Sequence, residues 1–145
     1  MTPGMGSNRS MPESAVVPVL TYPDVPAAVA WLSATFGLVE RLRIGEHRAQ
    51  LRCGEGDVIA ANGGGERREP GAGAVSHSIM VRVEDVDAHC ERARSHGAQV
   101  LLEPTDHPYG ERQYTVEDLA GHQWTFTQTT ADVAPEEWGG ELVDA

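Results

Sequence analysis

The feature that most constrains the fold is a segment that occurs twice, about sixty residues apart. Residues 21–28 (TYPDVPAA) are echoed by residues 82–89 (RVEDVDAH), and each copy joins an apolar strand-like run to Asp-Val and then to a helical pattern. Each helical pattern ends at a glycine, Gly37 or Gly97. Because one unit of this length cannot bury its apolar face alone, the repeat predicts two related modules that share a core and enclose a cleft.

The order of strand, helix and turn patterns predicts two βαβββ modules and therefore an α+β fold. In the first module the predicted elements are a strand over 16–22, a helix over 27–36 and strands over 39–44, 48–53 and 57–61. In the second they are a strand over 77–83, a helix over 86–96 and strands over 100–103, 112–116 and 123–128. The predicted organisation is a disordered leader (1–14), the first module (15–62), a glycine-rich linker (63–74), the second module (75–130) and a C-terminal tail (131–145).

Composition excludes several classes of protein. The net charge of -11 would repel both nucleic acid and an anionic membrane, and no apolar run is long enough to cross a bilayer. Cys53 and Cys90 are the only cysteines and form no CxxC pair, so a reducing cytoplasm is the expected location. No P-loop, dinucleotide-binding or Gly-x-Ser-x-Gly motif occurs. These observations leave a small organic molecule as the expected partner.

Several short motifs resemble one family. The second half contains VEDVDA (83–88), GAQV (97–100), PYGER (108–112) and DLAGHQW (118–124), and the first half contains YPD (22–24), WL (31–32) and FG (36–37). With the βαβββ order, these residues resemble the vicinal oxygen chelate superfamily, in its glyoxalase/bleomycin-resistance protein/dioxygenase-like branch. The last motif usually reads Asp-Pro-x-Gly-His-x-Trp in that branch, and Leu119 replaces the proline here. The resemblance covers 16–128 and implies a curved mixed sheet around a cleft, commonly completed by the second subunit of a homodimer.

The same resemblance implies where a metal would be held. Enzymes of the superfamily bind a divalent metal through four His, Glu or Gln side chains from the first and last strands of each module. Counting from Asp-Val, these positions hold Val17 and Ser78 on the first strands, no acid within 58–62, and Thr125 on the last strand. His77 lies one residue from Ser78 and should face the other way unless a bulge turns it into the cleft. No metal and no other cofactor are therefore expected.

Strand alternation predicts which side chains line the cleft. If Ala49, Leu51 and Cys53 are core residues, their neighbours on the same strand face the cleft, and the apolar row of Ile79 and Val81 gives the same result for the second module. The predicted ligand-binding residues are Gln50, Arg52, Ser78, Met80, Arg82, Tyr109, Arg112, Tyr114 and Thr125. This set suits a planar organic molecule with polar or anionic groups. The alternative is that Glu111 and Arg112 pair on the surface while Arg82 is solvated.

Three functions remain open from the sequence. The first is a small-molecule binding protein of the drug- or metabolite-sequestering, antibiotic-resistance type, with no catalytic residues. The second is an enzyme, either a metal-dependent lyase, isomerase or dioxygenase of the same superfamily or one that works without a metal. The third is a dimeric scaffold whose only partner is a second copy of the chain. Trp138, a tryptophan in a polar tail, is expected to dock on the same subunit or on a partner.

Overall fold

The computed structural model describes residues 9, 11–63, 69–70 and 77–142, and it confirms two βαβββ modules and the α+β class. The leader and linker predicted from sequence fall largely outside the described residues. The elements of the first module are β1 (Val19–Thr21), α1 (Val25–Phe36), β2 (Val39–Ile44), β3 (Arg48–Cys53) and β4 (Gly56–Ala61). Those of the second are β5 (Ser78–Arg82), α2 (Val86–Ser95), β6 (Gln99–His107), β7 (Glu111–Glu117) and β8 (Gln123–Thr129), followed by a short 3-10 helix, Pro135–Glu137.

Each module forms one four-stranded sheet with the same topology. The strand orders are β1-β4-β3-β2 and β5-β8-β7-β6. In each sheet the first strand pairs in parallel with the last, and the remaining pairs are antiparallel. The helix of each module packs on one face of its sheet, so alternate residues of every strand point to the opposite face, which we call the cleft face.

The repeated Asp-Val starts a helix in both modules. Asp24 Oδ1 accepts a hydrogen bond from the backbone N–H of Ala27, and Asp85 Oδ1 accepts one from Ala88, each at 3.1 Å. Both aspartates have extended backbone and serve as N-caps, which satisfies one of the free N–H groups of the first turn. Gly37 then ends α1 in the left-handed conformation, with φ of 77°. The sequence repeat therefore reflects two equivalent helix starts.

An aromatic cluster joins the two modules. Phe36, the last residue of α1, is 5% exposed, and its ring lies 5.3 Å from that of Trp124 and 5.0 Å from that of Phe126. The ring of His89 in α2 lies 4.0 Å from that of Phe126, with the two planes tilted by 34°. Cys53 and Cys90 are free thiols within the same core, as predicted for Cys53. The modules thus share one continuous core.

His89 of α2 does not face solvent. It is half-buried, its Nδ1 lies 2.5 Å from the Tyr114 hydroxyl, and its Nε2 lies 3.3 Å from the Phe36 carbonyl oxygen. Since that carbonyl only accepts, Nε2 carries the proton and Nδ1 accepts from Tyr114. Burial lowers the pKa of His89, assisted by the charge of Arg92 and opposed by the Phe36 hydrogen bond. A neutral His89 therefore links α2 to α1.

A buried carboxylate forms the second link between modules. Asp118, in the turn before β8, accepts hydrogen bonds from the Tyr22 hydroxyl at 2.6 Å and from Trp124 Nε1 at 3.0 Å. His122 Nε2 lies 2.8 Å from the Thr21 carbonyl oxygen, so this histidine bonds across to the first module and not only within its own turn. The Asp-x-x-Gly-His motif therefore fixes one module against the other. Over the described ranges, no helix has the length and apolarity needed to cross a bilayer.

Candidate functional site

A network of hydrogen bonds crosses the cleft face of the second module. Glu111 accepts one hydroxyl hydrogen bond on each carboxylate oxygen, from Thr127 and from Thr129, both at 2.6 Å. Gln113 Nε2 donates to Thr127 Oγ1 at 3.1 Å, and the Tyr109 hydroxyl donates to Gln113 Oε1 at 3.2 Å. Strands β7 and β8 place these residues on one face, because Gln113 pairs directly with Thr127. The result is a polar surface with a carboxylate at one end.

Glu111 is held ionised. Its partial burial alone would raise the pKa, but the hydroxyl hydrogen bonds from Thr127 and Thr129 and the charge of Arg82 outweigh burial and lower the pKa below its ordinary value. Each carboxylate oxygen accepts one hydroxyl and has a further lone pair available. A ligand that donates hydrogen bonds would find an acceptor here.

The neighbouring row of the same sheet is polar in the middle and apolar at both ends. Thr115 and Thr125 share a hydroxyl–hydroxyl hydrogen bond of 2.9 Å. Met80 pairs with Thr125, and Leu102 pairs with Thr115. Met80 is 62% and Leu102 65% exposed. Two large apolar side chains are therefore exposed to solvent on the face predicted to bind a ligand.

The cleft face of the first module is mostly apolar at its edges. Gln50 lies on this face but is buried, and the guanidinium of Arg41 donates to its Oε1. Arg52 is exposed, with its Nε 4.0 Å from the carboxylate of the buried Asp57. Exposed apolar residues on the rows of this face are Val19, Val39 and Ile44. Gln50 is therefore largely shielded from a ligand, whereas Arg52 is accessible.

Two residues predicted to line the cleft lie on the other face. Tyr114 is fully buried against α2 with its hydroxyl on His89, and Arg112 pairs with Asp87 of α2 at 3.1 Å and with Asp106 at 3.2 Å. Strand alternation explains why both residues lie on the helix side. Thr115 belongs to the cleft face, so the even-numbered residues of β7 must point to the helix. The suggested pair between Glu111 and Arg112 is likewise not formed, because adjacent strand residues face opposite ways.

The other predicted residues of the second module lie on β5, on β8 and in the turn before β7. Ser78, Met80 and Arg82 are exposed on β5, Thr125 is on β8, and Tyr109 is half-buried in the turn before β7. Sequence reasoning missed Glu111 and Gln113. The alternation of Tyr114 and Val116 with polar neighbours was the signal that could have found them.

The four expected metal positions do not offer a suitable set of donors. They hold Val17, Ser78, the segment 58–62, which has no acid, and Thr125, whose hydroxyl is bonded to Thr115. The ring of His77 lies 6.3 Å from that of the buried His122. In the part of the chain that the structure describes, no three His, Cys, Asp or Glu side chains are grouped so that they could hold a metal ion. Val17, Ser78 and Thr125 supply neither an imidazole nor a carboxylate, so these positions do not fit a divalent metal.

An open depression of about 560 Å³ lies at the start of α1, away from the polar network. Its lining residues are Pro23, Asp24, Val25, Pro26, Glu46, His47 and Asn62. None of them belongs to the predicted ligand-binding set, and the cap of a helix already uses the carboxylate of Asp24.

Comparisons with known proteins agree on one family. The sequence model of the Glyoxalase/Bleomycin resistance protein/Dioxygenase superfamily matches residues 15–126. The crystal structure of TioX from Micromonospora sp. ML1 is 37% identical, covers 80% of this chain and 98% of TioX, and has a TM-score of 0.68. An uncharacterized protein of Mycobacterium bovis is 29% identical over 136 residues, 86% of this chain and 90% of the relative. Lactoylglutathione lyase from Agrobacterium tumefaciens, 20% identical with a TM-score of 0.60 over 81% of this chain and 94% of that one, shares the fold.

Proposed function

Because the chain belongs to the glyoxalase/bleomycin resistance protein/dioxygenase superfamily, we propose that it binds a small organic molecule reversibly on its cleft faces and carries out no metal-dependent reaction. The observation that carries this proposal is the donor set at the four family metal positions, where Val17, Ser78 and Thr125 offer neither imidazole nor carboxylate. The hydrogen-bonding surface of Glu111 and Gln113 remains available for a ligand. The two buried free thiols accord with a cytoplasmic location.

The character of the ligand follows from the corrected lining. Arg112 is engaged with Asp87 and Asp106 on the helix side, so one of the arginines expected to bind anionic groups is removed. Arg82 remains exposed beside Glu111, and threonine hydroxyls and an amide surround them. This mixture favours a ligand that both donates and accepts hydrogen bonds over a purely anionic one.

A second copy of the chain is proposed to face the cleft. Val39, Met80 and Leu102 are 63%, 62% and 65% exposed, and together with Val19 and Ile44 they leave apolar surface on both cleft faces. Soluble monomers rarely keep extended apolar surface in water. A facing copy would bury these side chains and enclose the polar network, so that the ligand site has two walls.

We expect light scattering at micromolar concentration to give twice the chain mass of 15.6 kDa. Leu102→Glu should shift the protein to monomer, because a carboxylate would have to be desolvated at the interface. Leu119→Glu is the matched control, since Leu119 is also exposed but lies in the turn before β8. A wild-type monomer at this concentration would contradict the dimer.

Ligand binding is tested by calorimetry and thermal shift against a panel of planar aromatic and polar compounds, with and without EDTA. Binding should survive EDTA, and Arg82→Ala should weaken it about tenfold, as expected for the loss of one charge-assisted hydrogen bond. Arg43→Ala is the control, because Arg43 is an exposed arginine on the helix side of the first sheet, where it pairs with Glu40. Turnover of a glutathione hemithioacetal or a catechol that scales with added metal would refute the proposal and establish the enzyme alternative.

A further inference from the structure

The chain after β8 folds back onto the turn between β6 and β7. The backbone N–H of Thr130 donates to the Gly110 carbonyl oxygen at 2.8 Å, and that of Ala131 donates to the same oxygen at 3.3 Å. Gly110 has φ of 83°, and a Cβ at this position would lie 2.1 Å from the Ala131 carbonyl oxygen. Only glycine fits, so the start of the tail is closely packed against this turn.

The tail then places Trp138 against Tyr109. The indole N–H of Trp138 donates to the Val133 carbonyl oxygen at 3.3 Å, and its ring meets the ring of Tyr109 edge-on at 5.7 Å. A Cβ at Gly140 would come within 2.7 Å of the indole ring, so the backbone passes close to it. His107 stacks on Tyr109, with ring centroids 5.0 Å apart and planes 4° from parallel. We call His107, Tyr109 and Trp138 the aromatic platform.

The platform borders the polar network of the cleft face. Tyr109 belongs to both, since its ring contacts Trp138 and its hydroxyl donates to Gln113. Glu111 follows two residues later, and it pairs with His107 across β6 and β7. Trp138 remains 40% exposed although it is held by a hydrogen bond and an aromatic contact. The Trp138 indole is therefore held in position, partly exposed and close to the ionised Glu111 carboxylate. These are the properties of a surface on which an aromatic ligand can stack.

We propose that the aromatic platform and Glu111 form a subsite for a planar aromatic group bearing a cationic or hydrogen-bond-donating amino substituent, an inference that rests on the proposed binding function of the cleft face. The ring would stack on Trp138 and meet Tyr109 edge-on, and the π face of the indole also favours a positive charge. The amino group would share the Glu111 carboxylate with Arg82, the cation that already faces it. Trp138 lies beyond residues 15–126 matched by the family, so the tail supplies this part of the subsite.

The probe is 9-aminoacridine, which is planar and cationic at neutral pH, and its comparator is acridine-9-carboxylate, which has the same ring and a negative charge. Titrations are followed by calorimetry in about 0.3 M NaCl, so that the net negative charge of the protein is screened. Wild type should bind the amine at least tenfold more tightly than the acid. Trp138→Ala should weaken amine binding about tenfold, Trp138→Phe should retain most of it, and Glu111→Gln should reduce the preference for the amine.

Trp31→Phe is the control for loss of an indole elsewhere, since Trp31 lies on α1, and it should leave amine binding unchanged. Gly140→Val should weaken amine binding as Trp138→Ala does, because the valine side chain would displace the indole without removing it. Equal binding of the amine by wild type, Trp138→Ala and Gly140→Val overturns the subsite, as does equal binding of the two acridines. If Arg82→Ala still weakens the binding of a compound from the wider panel in that case, the proposed function stands without the subsite. If wild type binds neither acridine nor any member of the wider panel, both proposals are wrong.

Discussion

Asp118→Asn should lower the free energy of unfolding by about 3 kcal/mol, and Asp118→Ala by more, because each leaves buried donors without an acceptor. Asp118 is 5% exposed and accepts four hydrogen bonds. Its Oδ2 receives the Tyr22 hydroxyl and the indole N–H of Trp124, and its Oδ1 receives the backbone N–H groups of Ala120 and His122 at 3.0 Å each. An asparagine keeps an oxygen for one pair of donors but presents N–H groups to the other pair.

The Tyr22 hydroxyl stays a donor throughout the accessible pH range. Burial raises its pKa well above the ordinary value, and the charge of Asp118 and their hydrogen bond raise it further. Tyr22 belongs to the first module and Asp118 to the second. Losing the hydrogen bond between them should therefore destabilise the whole domain and not one turn alone. Urea denaturation followed by circular dichroism measures the effect, and roughly 10 °C of thermal stability should be lost with it.

Two controls bracket this result. Tyr22→Phe removes one of the four donors and should cost less, about 1–2 kcal/mol, because a phenyl ring leaves only one carboxylate lone pair unfilled. Asp132→Asn alters an exposed aspartate in the tail and should leave the urea midpoint unchanged. A wild-type midpoint for Asp118→Asn would mean that the link between the modules does not depend on this carboxylate.

Local signals predicted the elements well because they act through nearby backbone. The capping aspartates and the glycine after α1 fix the starts and the end of helices with side chains only a few residues away. The largest boundary error was β6, which runs on past Pro104 to His107. Proline interrupts a regular ladder, yet here the register shifts between Leu102 and Thr105, and an irregular position of this kind tolerates proline.

The site was harder to predict because it depends on contacts distant in sequence. On β3 and β5 a row of apolar residues showed which side chains point to the helix and which to the cleft. On β7, Arg112 and Tyr114 were assigned to the cleft because their side chains suit ligand binding, without regard to the alternation of the strand. His89 and His96 are seven residues apart, and His96, which follows the last residue of α2, is exposed. His89 is covered by Phe36 of the other module, 53 positions away, and no pattern within α2 contains that information.

The final expectation concerns the aromatic cluster itself: Phe36→Ala should lower the free energy of unfolding by about 3–5 kcal/mol, the range typical of a buried phenylalanine. Phe36 packs on Trp124 and Phe126 of the second module and edge-on to Trp31 of α1 at 5.1 Å. Its removal leaves a cavity at the junction of the modules, which neither helix can fill without shifting. Phe36→Leu keeps most of the volume and should cost about half as much or less.

This variant also tests whether the two modules unfold as one unit. Because Phe36, His89 and Trp124 form a single core, chemical denaturation of the wild type should show one transition with fluorescence and circular dichroism midpoints that coincide. Phe36→Ala should shift both midpoints together, whereas Leu119→Ala, at an exposed position, should shift neither. Two separated transitions in the wild type would show that the modules unfold independently. A Phe36→Ala loss below about 1 kcal/mol would show that this cluster is not what holds the modules together.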